Sequence, residues 1–349
     1  MRKKRINLAL QGGGAHGAFT WGVLDRLLQE DWLEIAAISG TSAGALNGAA
    51  LKAGLVRGGA KDGRRLAREN LDWLWSQVEE TRDLPLGQWM AALFPYPDAL
   101  NRWVEMFSPA AWMEQMTRVV SPYDSGPFYV NPLARIVERF EYDQVCSTKG
   151  PAFFVAATNV RSGKIRVFSG TEITSDAILA SACLPNLFRA VEMFDAQTGQ
   201  VEAFWDGGYT GNPPLFPLFA AEFPRDVVVV TINPMRNDAM PQAPADIAER
   251  INQISFNSSL LRELRAIGFV RRLLADKRLP EGMMKDVLIH MISDDHIMNE
   301  MAANSKITPG SGTLERLKAA GQAAADRFLE AHGGQIGHSA SVDIEALYQ

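Results

Sequence analysis

Short apolar runs alternate with longer helical stretches along the first part of the chain. Residues 6–10 and 35–39 are nearly continuous apolar runs, which are typical of strands buried on both faces, whereas residues 15–30 and 45–53 have a helical pattern. The same pattern predicts further strands at 152–157, 165–168, 201–205, 227–232 and 287–292, and further helices near 61–79, 174–182, 246–275 and 313–331. This order predicts an α/β fold with a mostly parallel central sheet and helices on both of its faces.

The predicted strands are spread over nearly the whole chain, and no low-complexity linker separates them. We therefore expect residues 1–349 to form a single domain. Its motif-bearing core covers about residues 5–235, and residues 236–349 are expected to extend the same domain with helices and a strand.

Residues 84–132 differ from their surroundings, because prolines repeatedly interrupt a segment rich in aromatic and methionine side chains. Such a segment suits short helices, so we expect a helical insertion, which is either an ordinary subdomain core or a lid. Thioethers and large rings adapt to varied apolar shapes, which favours contact with an acyl chain. The side chains expected to form this apolar wall are Trp89, Trp103, Met106, Phe107 and Trp112.

Composition narrows the classes of function. A net formal charge of −5 gives no basic footprint, so no nucleic-acid partner is expected. Two cysteines, Cys146 and Cys183, are too few for a disulfide framework and indicate a reducing compartment. The basic start of the chain is followed by a run that asparagine, glutamine and glycines interrupt, and no stretch reaches the ~20 apolar residues of a membrane span. A cytoplasmic location is expected, with transient contact at a membrane surface.

Two glycine-framed loops follow the first two predicted strands. The second, Gly40-Thr41-Ser42-Ala43-Gly44, presents Ser42 at a strand-to-helix turn, where the glycines leave room around its Oγ and the next helix points its N-terminus. The first, Gly12-Gly13-Gly14-Ala15-His16-Gly17, has few side chains, so its backbone N–H groups can converge on an oxygen anion. A nucleophile beside an oxyanion hole indicates acyl transfer.

A serine hydroxyl needs a base that removes its proton, and two candidates stand out. His296 follows two aspartates, and a Ser-Asp-His order would match the triad of α/β-hydrolases, although those enzymes place several strands before their serine. Asp206 follows a predicted strand and precedes Gly207-Gly208, which permits a sharp turn that projects the carboxylate. We favour Asp206 and keep His296 as the alternative.

These blocks resemble the patatin-like phospholipases and acyl hydrolases. The family combines a glycine-rich loop after the first strand, G-x-S-x-G after the second, and a distant D-G-G or D-G-A. An A-S-x-x-x-P segment often precedes that aspartate, and Ala180-Ser181-Ala182-Cys183-Leu184-Pro185 matches it. The four blocks occur in the family's order between residues 8 and 208. One position departs from the family, which commonly has arginine or lysine where this chain has His16.

The resemblance implies a three-layer patatin-like fold and a Ser-Asp dyad that cleaves carboxylic esters of lipids without a cofactor or a metal. Ser42 would attack the ester carbonyl, Asp206 would accept the proton, and amides among Gly12, Gly13, Gly14 and Ala15 would bind the oxyanion. The substrate class would include phospholipids, lysophospholipids, acylglycerols and simple esters. The motif glycines that would shape the loops are Gly17, Gly40, Gly44, Gly207 and Gly208.

Two other functions compete with this interpretation. The spacing Gly12-x-Gly14-x-x-Gly17 satisfies the G-x-G-x-x-G dinucleotide fingerprint, but the acidic residue expected at the end of the second strand of such a unit is replaced by a serine turn. The second alternative is an inactive member of the patatin-like family, which retains the fold as a lipid-binding or partner-binding module. Hydrolysis of an acyl ester distinguishes the binding module from the enzyme.

Overall fold

A computed structural model describes residues 3–81, 121–124, 129–242, 244–280, 282–301 and 312–348. Eight strands of this described part form one sheet. The strands are β1 (Lys4–Leu10), β2 (Leu33–Thr41), β3 (Ala152–Asn159), β4 (Ile165–Ser169), β5 (Val191–Asp195), β6 (Gln200–Asp206), β7 (Asp226–Val230) and β8 (Leu288–Ile292). Their order is β5-β6-β3-β2-β1-β7-β8, and β4 pairs with β3.

The central part of the sheet is parallel, whereas one side is antiparallel. Strands β3, β2, β1, β7 and β8 run in the same direction, with Leu8 paired to Ile38 of β2 and to Val228 of β7. Strands β4 and β6 pair antiparallel with β3, and β5 pairs antiparallel with β6. The prediction of an α/β fold with a mostly parallel sheet is confirmed.

Side chains alternate between two apolar layers because successive residues of a strand point to opposite faces of the sheet. In β1, Leu8 and Leu10 belong to one buried cluster, while Ala9 between them belongs to the other. In β7, Val228 and Val230 face the first cluster, and Val227 and Val229 face the second. Both faces are apolar, so each must be covered.

Helices from several parts of the chain cover these faces. They are α1 (Gly17–Leu27), α2 (Ala43–Thr81), α3 (Ala134–Val137), α4 (Tyr142–Val145), α5 (Ser175–Ser181), α6 (Pro244–Ala275), α7 (Asp295–Glu300) and α8 (Thr313–His332). The segment α2 is broken at Gly59, whose φ of 55° and ψ of −146° are not helical, so it consists of two helices that correspond to those predicted near 45–53 and 61–79.

The two faces are covered by different helices. Buried side chains of α1, α2, α5 and α8 pack in the first cluster, and Leu260, Leu264 and Ile267 of α6 pack in the second. Helices on both sides of the sheet produce the predicted three layers. Strand β8 lies in the region 236–349 and extends the same sheet beyond β7.

Helices α1 and α8 meet backbone to backbone. A methyl group added at Gly22 of α1 would overlap the Lys318 carbonyl of α8, and one added at Gly321 would overlap the Phe19 carbonyl. Two facing glycines therefore bring the helix axes close together. This contact ties the C-terminal helix to the glycine loop, because α1 begins at Gly17.

Some elements differ from the sequence prediction. Strand β5 and the short helices α3, α4 and α7 are additional to the predicted elements. The strand predicted at 227–232 ends at Val230, because Ile232 and Asn233 turn their amides toward Gln11. Most of the predicted insertion at 84–132, including the five side chains of the expected apolar wall, lies outside the described residues.

Candidate active site

Ser42 occupies a sharp turn between β2 and α2. Its φ of 53° lies in the left-handed region that favours glycine, so the backbone holds the serine in a strained conformation. The Ser42 N–H donates to the Ser181 hydroxyl at 2.9 Å, and the Ser42 carbonyl accepts the first amides of α2. The hydroxyl is thus presented at the start of a helix, where the helix dipole favours negative charge.

The glycines of both loops fit the turn because a side chain would collide with it. A Cβ at Gly12 would lie 2.6 Å from the Ser42 Cβ, and a Cβ at Gly17 would lie 2.6 Å from the Ala43 Cβ. A Cβ at Gly44 would overlap the carbonyl of Leu10. The glycine loop after β1 therefore lies directly against the serine turn, as the sequence predicts.

The amides of the glycine loop have two different environments. Gly14 has a φ of 59°, which a residue with a side chain rarely adopts. Among the described residues, the amides of Gly13, Gly14 and Ala15 have no hydrogen-bond acceptor. The Gly12 N–H instead donates to Asn212 Oδ1 at 2.6 Å, so it is not available to an oxyanion, in contrast to the sequence-based expectation.

Asp206 ends β6 and is completely buried. Its Oδ1 accepts the Gly208 N–H at 2.7 Å, and its Oδ2 has no hydrogen-bond partner within the described part of the chain. Burial raises the pKa of Asp206 to about 7, although the Gly208 amide and the facing Ser42 hydroxyl lower it. A carboxyl group with this pKa is ionised in part at neutral pH and can accept a proton there.

Neighbouring strands hold the backbone of Asp206 in place. Asp206 pairs with Ala157 of β3, and its carbonyl accepts the Thr158 hydroxyl at 2.8 Å. Its amide donates to the Cys183 carbonyl at 2.8 Å, in the segment that follows Ser181. The A-S-x-x-x-P segment therefore contacts both sides of the site, through Ser181 at Ser42 and through Cys183 at Asp206.

The segment after Asp206 is attached to the end of β2. The Thr41 hydroxyl donates to the Gly211 carbonyl at 2.7 Å, and the Ser39 hydroxyl donates to the Pro214 carbonyl at 2.6 Å. Residues two positions apart on a strand face the same side of the sheet, so both hydroxyls bind one segment. These bonds hold the region after Asp206 against the strand that carries Ser42.

A family model agrees with this arrangement. The model described as patatin-like phospholipase matches residues 8–219, which is more than half of the chain. The chain belongs to this family. The matched region contains the glycine loop, the Ser42 turn and Asp206, and members of the family are lipid acyl hydrolases.

Comparisons outside the family model find distant similarity. The structure of VipD from Legionella pneumophila is 14% identical with a TM-score of 0.40, and the match covers 95% of this chain and 67% of that chain. The ExoU-SpcU complex from the type III secretion system of Pseudomonas aeruginosa contains a chain that is 14% identical with a TM-score of 0.32. That match covers 95% of this chain and 53% of the other, so this chain spans about half of its length. A search of curated proteins finds no match.

Three of the five histidines of this patatin-like chain bear on the choice of base, and they lie in different settings. His16 is buried in the turn Gly14–His16 of the glycine loop. His290 is buried in β8, where Nε2 lies 3.1 Å from Asp226 Oδ1 and Nδ1 lies 3.1 Å from the Ser341 hydroxyl. His296 lies on α7 with a side chain that is 84% exposed, 3.3 Å from Glu300. No hydrogen bond or ion pair joins His296 to Ser42 among the described residues, and Ser42 is buried.

The two cysteines have structural contacts. Cys183 is buried, its thiol donates to the Arg189 carbonyl at 3.0 Å, and burial raises its pKa to about 12. Cys146 is half-buried and donates to the Ile173 carbonyl. Both thiols therefore stay protonated and weakly reactive at neutral pH.

The site contains polar residues that the sequence motifs do not identify as partners. Ser181 was recognised only as part of a motif, and Asn212 and Gln11 were not singled out. A signal was available for the last two, because Gln11 follows a buried strand directly and Asn212 precedes two prolines soon after Asp206. Polar residues at such positions must find partners when they are buried.

Two further features describe the surroundings of the site. Within the described ranges, no group of three metal-ligating side chains gathers at one place. Every helix in those ranges is too short or too polar to cross a bilayer.

Proposed function

We propose that this protein is a serine acyl hydrolase that cleaves carboxylic esters of lipids with a Ser42–Asp206 dyad. The observation that carries the proposal is the position of Ser42 on a strained turn, facing a fully buried carboxyl group whose pKa is about 7. Membership of a family of lipid acyl hydrolases supports the substrate class. The expected substrates are phospholipids, lysophospholipids and acylglycerols.

The proposed reaction has two halves. Ser42 Oγ attacks the ester carbonyl carbon while Asp206 Oδ2 accepts the hydroxyl proton, and amides of Gly13, Gly14 and Ala15 stabilise the oxyanion. The bond to the leaving alcohol then breaks, and Asp206 returns the proton to the alcohol oxygen. Water attacks the acyl-serine, gives its proton to Asp206, and releases the fatty acid as Ser42 recovers its hydrogen.

The unpartnered Oδ2 of Asp206 supports its role as the base. Oδ1 is held by the Gly208 amide, whereas Oδ2 has no hydrogen-bond partner among the described residues, so we assign the proton transfer to Oδ2. Proton-transfer partners in unliganded enzymes are often farther apart than a hydrogen bond and approach when substrate binds. His296 offers no comparable geometry because its side chain is exposed and lies beside Glu300.

We propose that the substrate reaches Ser42 from a membrane surface. Asn257 of α6 donates to the carbonyls of Asn233 and Pro234, just after β7, and Arg271 binds Asp286, just before β8. Helix α6 therefore spans the sheet between these points, and its first three turns continue roughly 16 Å past the carboxyl edge of the sheet, at about 5.4 Å per turn. Three exposed isoleucines follow these turns at helical spacing: Ile247, Ile251 and Ile254.

This exposed stripe suits a lipid surface for two reasons. Directly after these turns, the opposite side of α6 packs on the site, since Phe256 contacts Tyr209 with ring centroids 5.4 Å apart and lies next to Gly208. A surface bound to the isoleucines would thus lie near the entrance to Ser42. Apolar side chains that cluster on one exposed helical face favour insertion at the level of lipid head groups.

The dyad is tested with three variants in an assay of fatty acid released from a lipid panel. Ser42→Ala and Asp206→Asn should each lower turnover by several orders of magnitude, because the first lacks the nucleophile and the second cannot accept a proton. His296→Ala should retain the wild-type rate. Labelling of the wild type by a fluorophosphonate should be lost in Ser42→Ala.

Other outcomes distinguish the alternatives. An inactive His296→Ala variant beside an active Asp206→Asn variant would replace the dyad with a Ser-Asp-His triad. A wild-type protein that hydrolyses no ester and is not labelled at Ser42 would instead be a lipid-binding or partner-binding module. Absorbance of a bound nicotinamide would support the oxidoreductase.

A further inference from the structure

The side chain of Asn212 grips the backbone of Gly12 with both of its polar atoms. Its Oδ1 accepts the Gly12 N–H at 2.6 Å, and its Nδ2 donates to the Gly12 carbonyl at 3.2 Å. A backbone N–H can only donate, so the orientation of the carboxamide is determined by its partners. Asn212 is fully buried, and its own amide donates to the Ser259 hydroxyl at 3.1 Å.

The Gly12 carbonyl has a second donor. Asn233 Nδ2 donates to this oxygen at 2.7 Å from the end of the neighbouring β7 segment. Two carboxamides, which come from distant parts of the chain, therefore hold one carbonyl oxygen. Both asparagines bind the Gly12 backbone, so the influence that we infer acts through this backbone.

Holding the Gly12 carbonyl also orients the next amide. The Gly12 carbonyl and the Gly13 N–H belong to one planar, trans peptide unit, in which they point in opposite directions. When Asn212 and Asn233 hold the carbonyl on one side, the Gly13 N–H must point to the other. Consecutive glycines have no intrinsic preference for that orientation, so hydrogen bonds from other parts of the chain must hold the peptide in it.

Gln11 holds the backbone segment that carries Asn233. Its Oε1 accepts the amides of Ile232 at 2.8 Å and Asn233 at 2.9 Å, and its Nε2 donates to Asn257 Oδ1 at 2.8 Å. Asn257 in turn donates to the carbonyls of Asn233 and Pro234. Buried and satisfied polar networks of this kind resist displacement, because breaking one bond leaves an unpaired polar group.

We propose that Asn212 and Asn233 are positioning residues that aim the Gly13 N–H at the oxyanion formed on Ser42. The proposal rests on the proposed serine hydrolase function and deepens it. It explains why the Gly12 N–H is bonded to Asn212. This amide helps to hold the Gly12 peptide in place, and the amides that follow it stabilise the oxyanion. The two asparagines act on the transition state, in which the carbonyl oxygen of the substrate becomes an anion.

The test compares Asn212→Ala and Asn233→Ala with two asparagine controls in the full chain. Rates on a dissolved p-nitrophenyl ester are divided by the concentration of sites titrated with a fluorophosphonate, so that loss of folded protein does not count as loss of rate. Misdirecting one oxyanion donor should lower kcat by about 10²-fold with little change in KM. The affinity of an alkyl boronic acid, which forms a tetrahedral adduct with a serine, should fall in parallel.

The controls remove comparable bonds without touching Gly12. Asn7 is fully buried on β1 and donates to the Pro224 carbonyl at 2.8 Å, so Asn7→Ala should lower stability but not kcat per titrated site. Asn257→Ala loosens the surrounding network and should change kcat much less than Asn212→Ala. Asn233→Ala also provides the test if Asn212→Ala does not fold.

The outcomes separate this inference from the function on which it rests. A wild-type protein without hydrolysis and without label at Ser42 refutes the hydrolase itself. An active wild type, together with Asn212→Ala and Asn233→Ala variants that keep kcat and boronic acid affinity per titrated site, refutes the positioning role. An equal loss of kcat in Asn7→Ala and Asn212→Ala would also refute it, since the effect would then reflect general destabilisation.

Discussion

At the scale of single residues, the chemistry depends on how completely Asp206 is buried. A carboxyl group in water has a pKa near 4 and is a weak base at neutral pH. Burial at the end of β6 raises the pKa of Asp206 to about 7, and the Gly208 amide keeps the charged form accessible. The environment thus adjusts the pKa of a common side chain to the proton transfer that the proposed mechanism requires.

We predict that kcat/KM rises with pH through about 7 and reaches a plateau above it, because the reaction needs the unprotonated form of Asp206. As pH falls below 7, Asp206 becomes protonated and the rate decreases about tenfold per pH unit. The profile is measured with a soluble ester at constant ionic strength.

A matched control exists for this profile. Glu263 is a half-buried carboxyl group whose pKa desolvation raises to about 7, and it accepts the amides of Leu215 and Phe216. Glu263→Gln should leave the midpoint of the profile unchanged. A shift of the midpoint in this variant would assign the titration to Glu263 and contradict the assignment to Asp206.

At the scale of elements, helix packing brings distant segments to the glycine loop. Helix α8 packs closely on α1 because Gly22 lies against the Lys318 carbonyl and Gly321 lies against the Phe19 carbonyl. Helix α6 reaches the loop after β1 through Asn257. The pattern of apolar residues predicts that these helices exist, but it does not predict which helices touch. Contacts of this type depend on small residues at matching positions of two helices.

Gly321→Ala should destabilise the protein, because the new methyl group would overlap the Phe19 carbonyl and force α1 and α8 apart. The expected loss is about 1–3 kcal/mol in the free energy of unfolding, measured by urea denaturation. Gly334→Ala is the control, since nothing lies within 4 Å of a Cβ at that position. Equal stability of both variants would contradict the close packing of α1 on α8.

The exposed stripe on α6 gives a prediction for lipid binding. Ile251→Glu combined with Ile254→Glu should reduce sedimentation of the protein with phosphatidylcholine vesicles by tenfold or more, because two charges would have to enter the lipid interface. Phe269→Glu is the control, since Phe269 lies on the same helix and is 55% exposed, like Ile254. Both variants should hydrolyse a dissolved short-chain ester at the wild-type rate.

Binding should also change little with salt. Charges along the same turns of α6 nearly balance, with Arg250 beside Asp246 and Glu249 in the sequence. If binding required anionic lipid and disappeared at high salt, membrane binding would be assigned to another, charged surface of the protein. A concentration-dependent dimer that Ile251→Glu abolishes would assign the stripe to a second copy of the chain.

At the scale of the whole molecule, the site exists because parallel strands end at one edge of the sheet. The carboxyl ends of β1 and β2 carry the glycine loop and Ser42, and Gln11 binds the amides that follow β7. Asp206 arrives at the same edge from an antiparallel strand, since β6 pairs with the end of β3. Active sites of α/β proteins commonly occupy this edge, because loops from several strands meet there.

The sequence by itself determined the α/β fold and the candidates Ser42 and Asp206, because apolar periodicity and glycine-framed turns are local properties. Only the tertiary structure decided that burial raises the pKa of Asp206 to about 7 and that His296 is exposed. It also decided the partner of Asn212, whose bond to the Gly12 amide joins residues 200 positions apart. Burial and hydrogen-bond partners depend on which segments pack together, and a local pattern carries no information about a partner so distant.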